Sequence, residues 1–583
     1  MRIDRREWLR CSAAAVASLP AMLRAQSPPA VTGGVEHVAS GSRGAIATVS
    51  EIATRAGLRV MEEGGNAVDA AVAAALMLAV VDGGNSGLGG GCFILARGVH
   101  GEVVAIDGRE TAPAAAHGRM FFRDGRPDPS LSQTGALASG VPGAVAAYHR
   151  LSEELGTGRW RSAALAAAEQ AAEGFPIDAR YAARIASSAE RLGRFEGSRK
   201  VFFDADGEPR KAGERLVQPD LAVTLQELAS DGPDAFYRGR MAELTARWMQ
   251  ENGGMITEED FRHYRIRHRE PVESAFADHR ILGFPPPSSG GIHVAQILGM
   301  LKRFDLASMY DEDPIAYYHV VAEAMRLAFA DRAVWLGDPA FADVPRGLLD
   351  EEYLDKRSAM IDPEGRIPVV TAGGPPGVGV DLFGRLPRHT THLTAADEAG
   401  NWVAITATVN TTFGSKVVIP GTGVVMNNEM DDFAIAPGVP NAFGLIGTEA
   451  NAPAPGKRPL SSMSPTMVLR GDQPVLSCGA AGGPRIITAT AQIVLRALAL
   501  DEPLATAVAA PRIHQQWRPN ELWVEQRLDQ RIVDGLAQLG HSIRRSSGLA
   551  TAQAIAITEF SGAEAGQITA VAEPRADGHA AAY

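Results

Sequence analysis

Cysteine is scarce in this chain, with three residues in 583: Cys11, Cys92 and Cys478. One lies in an N-terminal leader and the other two are far apart, so no disulfide framework is built here. Cys92 and Cys478 sit in apolar stretches and read as small buried hydrophobes. There is no excess of positive charge either. Lysine and arginine total 56 against 68 aspartates and glutamates, a net charge of −12. That balance disfavours nucleic acid as the main partner, because phosphate binding needs a basic surface. Aromatics make up only 6% of the chain. The Ala-rich run at 70–81 falls short of the ~20 apolar residues that a membrane-crossing helix needs. It reads as a buried helix, and no membrane span is expected. What is plentiful is alanine and glycine, with 62 of the latter; both suit close α/β packing.

The chain is long enough for one large composite domain or for two to three smaller ones. Its start, "MRIDRREWLRCSAAAVASLPAMLRAQS", has a basic head, a short apolar run and a candidate cut after Ala25. This is a signal-peptide pattern, and Arg5-Arg6 followed by Trp8-Leu9 looks like a twin-arginine export signal with Asp4 in an unusual place. Export to a bacterial periplasm is the expectation; a disordered basic tail is the alternative.

Hydrophobic spacing over residues 44–81 predicts two helices broken at Gly64-Gly65. "SGLGGGCFILAR" (86–97) is a glycine turn feeding a strand. It lacks the strand-then-helix order of a dinucleotide loop. The strand region continues through "GEVVAIDGRETAP", with Arg109 just beyond it. Residues 140–350 read as mostly helical, and "PPPSSGGIH" (285–293) is a rigid turn before a further helix. The stretch 365–389 is dense in proline and glycine and reads as an exposed linker. Strands are expected at 391–397, 402–410, 416–419, 423–428 and 474–479, then a helix from Pro484. The class is α/β.

The linker runs directly into Thr390 and Thr391. If Asp397 pairs with Asn401 across the turn "DEAGN", Thr390 stands opposite Thr408. Period-two alternation then places Thr390, Thr408 and Asn410 on one face, with Val403, Ile405 and Val409 on the other. A threonine hydroxyl is a poor nucleophile without a base. Chain cleavage just before it would free its own α-amine for that task. From this stretch alone, ordinary β-branched strand residues are the default reading. His389 and His392 point to opposite faces of a strand and lack further ligands, so zinc is not expected.

Three other stretches carry chemistry. "NNEMDDF" (427–433) packs Glu429, Asp431 and Asp432 together, as a solvated turn or as a site for a cation. "KRPLSSMSPT" (457–466) offers Ser461 and Ser462. "LSCGAAGGPRIIT" places Gly482-Gly483 before a helix with Pro484 in its first turn, a natural anion or oxyanion site.

Together "TTHLTAAD…GNWVAITATVNTTFGS", "NNEMDDF", "KRPLSSMSPT", "GGPRIIT" and "PPPSSGGIH" resemble the γ-glutamyltransferase (glutathione hydrolase) family of N-terminal-nucleophile hydrolases, from about residue 35 to Tyr583. The resemblance implies a four-layer αββα sandwich and a proenzyme that cuts itself between His389 and Thr390. It implies a leader at 1–25, a large subunit at 26–389 and a small catalytic subunit at 390–583, paired as a heterodimer. Thr390 is then the nucleophile, Thr408 its hydrogen-bond partner, and Gly482 and Gly483 the oxyanion hole. Arg109 would bind the substrate α-carboxylate, with Ser461 and Ser462 assisting. Asn410, Glu429 and Asp432 would hold the α-ammonium.

Glutathione or another γ-glutamyl compound would be the donor, with water or an amino acid or dipeptide as acceptor. No cofactor and no metal is implied. Residues 437–453 resemble a lid loop, in which Phe443 stands where a tyrosine often occurs. Position 429 is Gln in some members. Lys416 replaces a glycine of many bacterial members, and His389 is unusual. Two other expectations compete: a cephalosporin (glutaryl) acylase-like amidohydrolase of the same fold, and an uncut binding protein for glutamyl compounds.

Overall fold

The computed structural model describes residues 37–376, 390–436, 438–557 and 566–583. The leader, His389 and the bond that joins it to Thr390 lie outside these residues.

Two seven-stranded sheets form the centre. One contains β2 (Gly44–Thr48), β3 (Gly91–Arg97), β4 (Val103–Gly108), β5 (Arg267–Arg269), β8 (Thr391–Asp397), β9 (Trp402–Thr408) and β14 (His579–Ala582), in the order β14-β2-β8-β9-β3-β4-β5. The other contains β1 (Val38–Gly41), β6 (Val272–Phe276), β7 (His279–Gly283), β10 (Thr466–Arg470), β11 (Gln473–Ala481), β12 (Thr551–Ile557) and β13 (Ile568–Ala572), in the order β1-β13-β12-β11-β10-β7-β6. Every neighbouring pair within these two sheets is antiparallel.

Alternation along the strands decides the layers. Leu393, Ala395, Val403 and Ile405 face helices α1 (Glu51–Glu62) and α2 (Ala67–Val81), with which they share one core. The intervening residues face the second sheet. There Thr394 Oγ1 lies 3.1 Å from Ser477 Oγ, and His392 Nδ1 lies 2.9 Å from Thr406 Oγ1. Burial holds the His392 imidazole neutral, its pKa lowered to about 3. Helices α4 (Gly290–Leu301), α5 (Pro314–Trp335) and α6 (Arg485–Ala499) share the other large core with the second sheet. The architecture is the expected αββα sandwich. Helix α3 (Trp160–Glu173) packs into the first core.

Several local expectations needed correction. Residues 44–48 form a strand, because β2 pairs with both β8 and β14 and so takes the backbone out of any helical option. The first helix starts at Glu51, and Asn66 caps the next through a box with Asp69. Residues 267–283, within the stretch read as mostly helical, supply β5, β6 and β7. Residues 416–419 and 423–428 join no ladder. They meet only in the bridge Val418–Val425, because Lys416 and the glycines at 414, 421 and 423 all have positive φ. Cys92 and Cys478 are buried and free. No helix among the described residues is long and apolar enough to cross a membrane.

Candidate active site

The hairpin β8–β9 has the register read from its sequence. Thr391 faces Ala407, Ala396 faces Trp402, and Asp397 N–H donates to Asn401 O at 3.1 Å. Thr390 sits immediately before β8 and lies opposite Thr408, with their hydroxyl oxygens 3.4 Å apart. Thr390 is 8% exposed. Thr408 Oγ1 also accepts from Asn410 N–H at 2.8 Å. Asn410 departs from the strand with φ of +76°. Its Nδ2 donates to Asn428 O at 2.9 Å, which leaves Oδ1 buried with no hydrogen-bond partner.

One pocket is lined by Thr390, Thr408, Asn410, Arg109, Glu429, Asp432, Ser461, Ser462, Phe443 and Gly483. Residues scattered over more than 370 positions of sequence therefore meet at one place. Gly482 lies on the far side of Thr390, in the wall of a neighbouring cavity. Gly482 has φ of +140° and Gly483 of +58°, values that a side chain would resist. Of the sequence candidates only His389 is not placed.

Each element delivers its group for a local reason. Arg109 follows the end of β4 and is wholly buried. Its Nε donates to Pro459 O at 3.1 Å, which ties it to the serine loop. Its two outer nitrogens donate to Glu429 and Asp432, which sit on the single 3₁₀ turn Glu429–Asp432. Asn427 anchors that turn: its Oδ1 accepts from Glu429 N–H at 2.9 Å, and its Nδ2 donates to Gly89 O and Gly140 O. The rigid turn before α4 holds the serines. Ser289 Oγ donates to Ser461 O at 2.7 Å, and Ser461 N–H donates to Pro287 O at 2.8 Å.

Asp431 points elsewhere. It accepts from Ser132 Oγ at 2.5 Å and from Ala442 N–H at 2.6 Å, so it fastens the loop that carries Phe443. Phe443 is buried against the pocket. Lys416, for which the sequence offered no role, donates from Nζ to Thr411 Oγ1 at 3.0 Å and to Gly414 O. That braces the turn after Asn410. Desolvation lowers its pKa to about 7.

Electrostatics here are crowded. Burial raises the pKa of Glu429 well above the carboxylate range and raises that of Asp432; Arg109 opposes both shifts. Glu110, missed in the sequence, places its carboxylate 3.8 Å from Arg109, and burial pushes its pKa up to about 7. Three acids around one guanidinium cannot all stay charged without a further cation. Arg332 was missed as well. It projects from α5, is buried, and donates to Ser462 Oγ at 3.1 Å and to Ser289 Oγ at 2.9 Å. Desolvation lowers its pKa to about 10. A charged residue embedded in the apolar run of α5 was the signal available. No cluster of three or more metal-ligating side chains occurs among the described residues.

Known proteins share this chain's sequence and fold. A family model described as gamma-glutamyltranspeptidase matches residues 53–583. The chain is 40% identical over 557 residues to the glutathione hydrolase proenzyme of Escherichia coli K12, covering 94% of this chain and 95% of that one. The crystal structure of a cephalosporin acylase from Bacillus halodurans superposes with a TM-score of 0.82 at 26% identity, over 97% of this chain and 99% of that chain. The Helicobacter pylori gamma-glutamyltranspeptidase structure gives a TM-score of 0.55 at 38% identity, over 57% of this chain and 96% of that chain. The fold, the pocket and the extent of the match lead to one conclusion: this chain belongs to the gamma-glutamyltranspeptidase family.

Proposed function

We propose that this protein is a self-processing γ-glutamyl hydrolase and transferase acting on glutathione and related γ-glutamyl compounds. The observation that carries the reading is the composition of the pocket beside Thr390. One guanidinium and two serines suit an α-carboxylate. Two buried acids and the unpartnered Asn410 Oδ1 suit an α-ammonium. The end of a γ-glutamyl group carries both.

In the uncut chain the nitrogen of Thr390 is an amide and cannot accept a proton. Cleavage of the His389–Thr390 bond turns it into an amine. Thr390 Oγ attacks the carbonyl of His389, its proton passes to the departing nitrogen, and water opens the resulting ester. The products are a large subunit, residues 26–389 after leader removal, and a small one, residues 390–583. Both subunits supply strands to both sheets, so they stay together as a heterodimer.

In turnover the Thr390 amine takes the hydroxyl proton while Oγ attacks the γ-carbonyl. Gly482 and Gly483 N–H groups stabilise the oxyanion, and Thr408 orients Oγ. The same proton leaves with the amine product. Water or an acceptor amine then cleaves the γ-glutamyl ester. Arg109, Ser461 and Ser462 hold the carboxylate, and Asn410, Glu429 and Asp432 hold the ammonium. Export through the twin-arginine route places the enzyme in a bacterial periplasm.

Intact mass and N-terminal sequencing test the reading. Active material yields a fragment beginning Thr-Thr-His-Leu, whereas Thr390→Ala stays one chain and is inactive. Two bands from that variant on a denaturing gel would eliminate self-cleavage. A glutaryl acylase of the same fold is the second reading, given the acylase neighbour. It has no use for the ammonium-binding acids, which are retained here.

A further inference from the structure

Thr390 closes one pocket and opens another. Beyond it lies a second cavity of about 550 Å³, whose wall includes Thr390 and Gly482. Gly483 faces the first pocket and Gly482 the second, so threonine and glycines form the partition. An amide held at this partition with its acyl part in the first pocket projects its nitrogen side into the second.

The second cavity is rich in arginine, and most of those arginines are taken. Arg184 pairs with Asp82 at 2.8 Å, Arg180 with Asp577 at 3.0 Å, and Arg575 with Glu525 at 2.8 Å. Arg485, in the first turn of α6, differs. No hydrogen bond or ion pair engages its guanidinium among the described residues, and its Nε is buried with no hydrogen-bond partner. The guanidinium lies 4.3 Å from the centre of the Trp523 ring, and Arg544 lies 4.1 Å from the same centre. Glu525, the acid that acts on it, is already held by Arg575 and Arg527. Burial lowers the Arg485 pKa to about 9, with Arg544 adding to the effect. A largely buried cation without an anion is costly, and an arriving carboxylate would offset that cost.

We propose that this second cavity is the subsite for the leaving and accepting amine, and that Arg485 binds the C-terminal carboxylate of that amino acid or dipeptide. The inference rests on reading the first pocket as a γ-glutamyl site. In transfer, the acceptor nitrogen attacks the Thr390 ester and forms the new amide bond. The ester C–O bond breaks, and the acceptor proton returns through the Thr390 amine to Oγ. Arg485 holds the acceptor and takes no proton.

The test uses purified two-chain enzyme with γ-glutamyl-p-nitroanilide as donor. Glycylglycine and glycylglycinamide are the paired acceptors, and transfer products are measured by chromatography. Wild type favours the free carboxylate by about ten-fold or more, the scale of one charge-assisted contact. Arg485→Gln abolishes that preference, and Arg485→Lys restores part of it. Because both acceptors are read on one preparation, an inactive fraction cancels.

A second measurement needs no variant. The KM of wild type for glutathione amidated at its C-terminus exceeds that for glutathione by about ten-fold. Equal KM values, or an unchanged acceptor preference in Arg485→Gln, overturn the proposal while leaving the γ-glutamyl reading intact. Failure of wild type to cleave the γ-glutamyl anilide at all overturns both.

Discussion

Replacing Asp432 by asparagine should change which acyl group the pocket prefers. Asp432 is nearly buried, at 9% side-chain exposure, and it accepts from Arg109 and, at 3.2 Å, from Asn441 Nδ2. A γ-glutamyl donor brings an ammonium that takes up this carboxylate; a glutaryl donor brings none. Loss of one charge-assisted hydrogen bond costs about 1.5–3 kcal/mol. Each ~1.4 kcal/mol is a factor of ten, so kcat/KM for the γ-glutamyl donor should fall roughly 10- to 150-fold relative to the glutaryl donor. Any loosening of Arg109 affects both donors alike and cancels in the ratio.

The assay compares p-nitroanilide release from γ-glutamyl and glutaryl anilides by Asp432→Asn and wild type. A ratio that moves by less than about three-fold would show that Asp432 does not meet the ammonium. The carboxylate and ammonium assignments would then have to be redrawn.

Three further outcomes are expected. Burial raises the carboxyl pKa values of Glu429 and Asp432, and a bound ammonium favours their ionised forms. The γ-glutamyl to glutaryl preference should therefore be highest at alkaline pH and weaken as pH falls and these acids take up protons; a flat ratio across pH 5–9 would contradict this. Gly482→Ala puts a side chain at φ +140° with Ala550 Cα 3.3 Å from the new Cβ. A displaced oxyanion donor should then lower kcat about 100-fold with little change in KM, read from steady-state kinetics. Asp397 accepts from Ala67 N–H at 2.8 Å and from Asn401 N–H at 3.1 Å, tying the start of α2 to the hairpin turn. Asp397→Ala should cost about 2–3 kcal/mol, seen as a lower urea midpoint with kcat of the folded enzyme retained.

The sequence by itself determined much about the centre of this protein. The turn "DEAGN" and period-two alternation were enough to set Thr390 opposite Thr408, because hairpin register is a local property. The glycines before α6 and the Pro-Ser-Ser-Gly-Gly turn were legible for the same reason: their backbone demands are written in residue type. Tertiary structure alone decided the rest. Residues 44–48 became a strand because β8 and β14, hundreds of positions away, offered edges to pair with, and no local window contains that information. Asp431 and Asp432 are adjacent, yet one fastens a loop and the other meets Arg109; a single 3₁₀ turn aims them apart. Arg332 holding Ser462, and Arg485 left without an anion beside the glycine pair, follow from the packing of helices around the sandwich. Burial and partner choice are properties of the assembled layers, and the order of residues along the chain does not carry them.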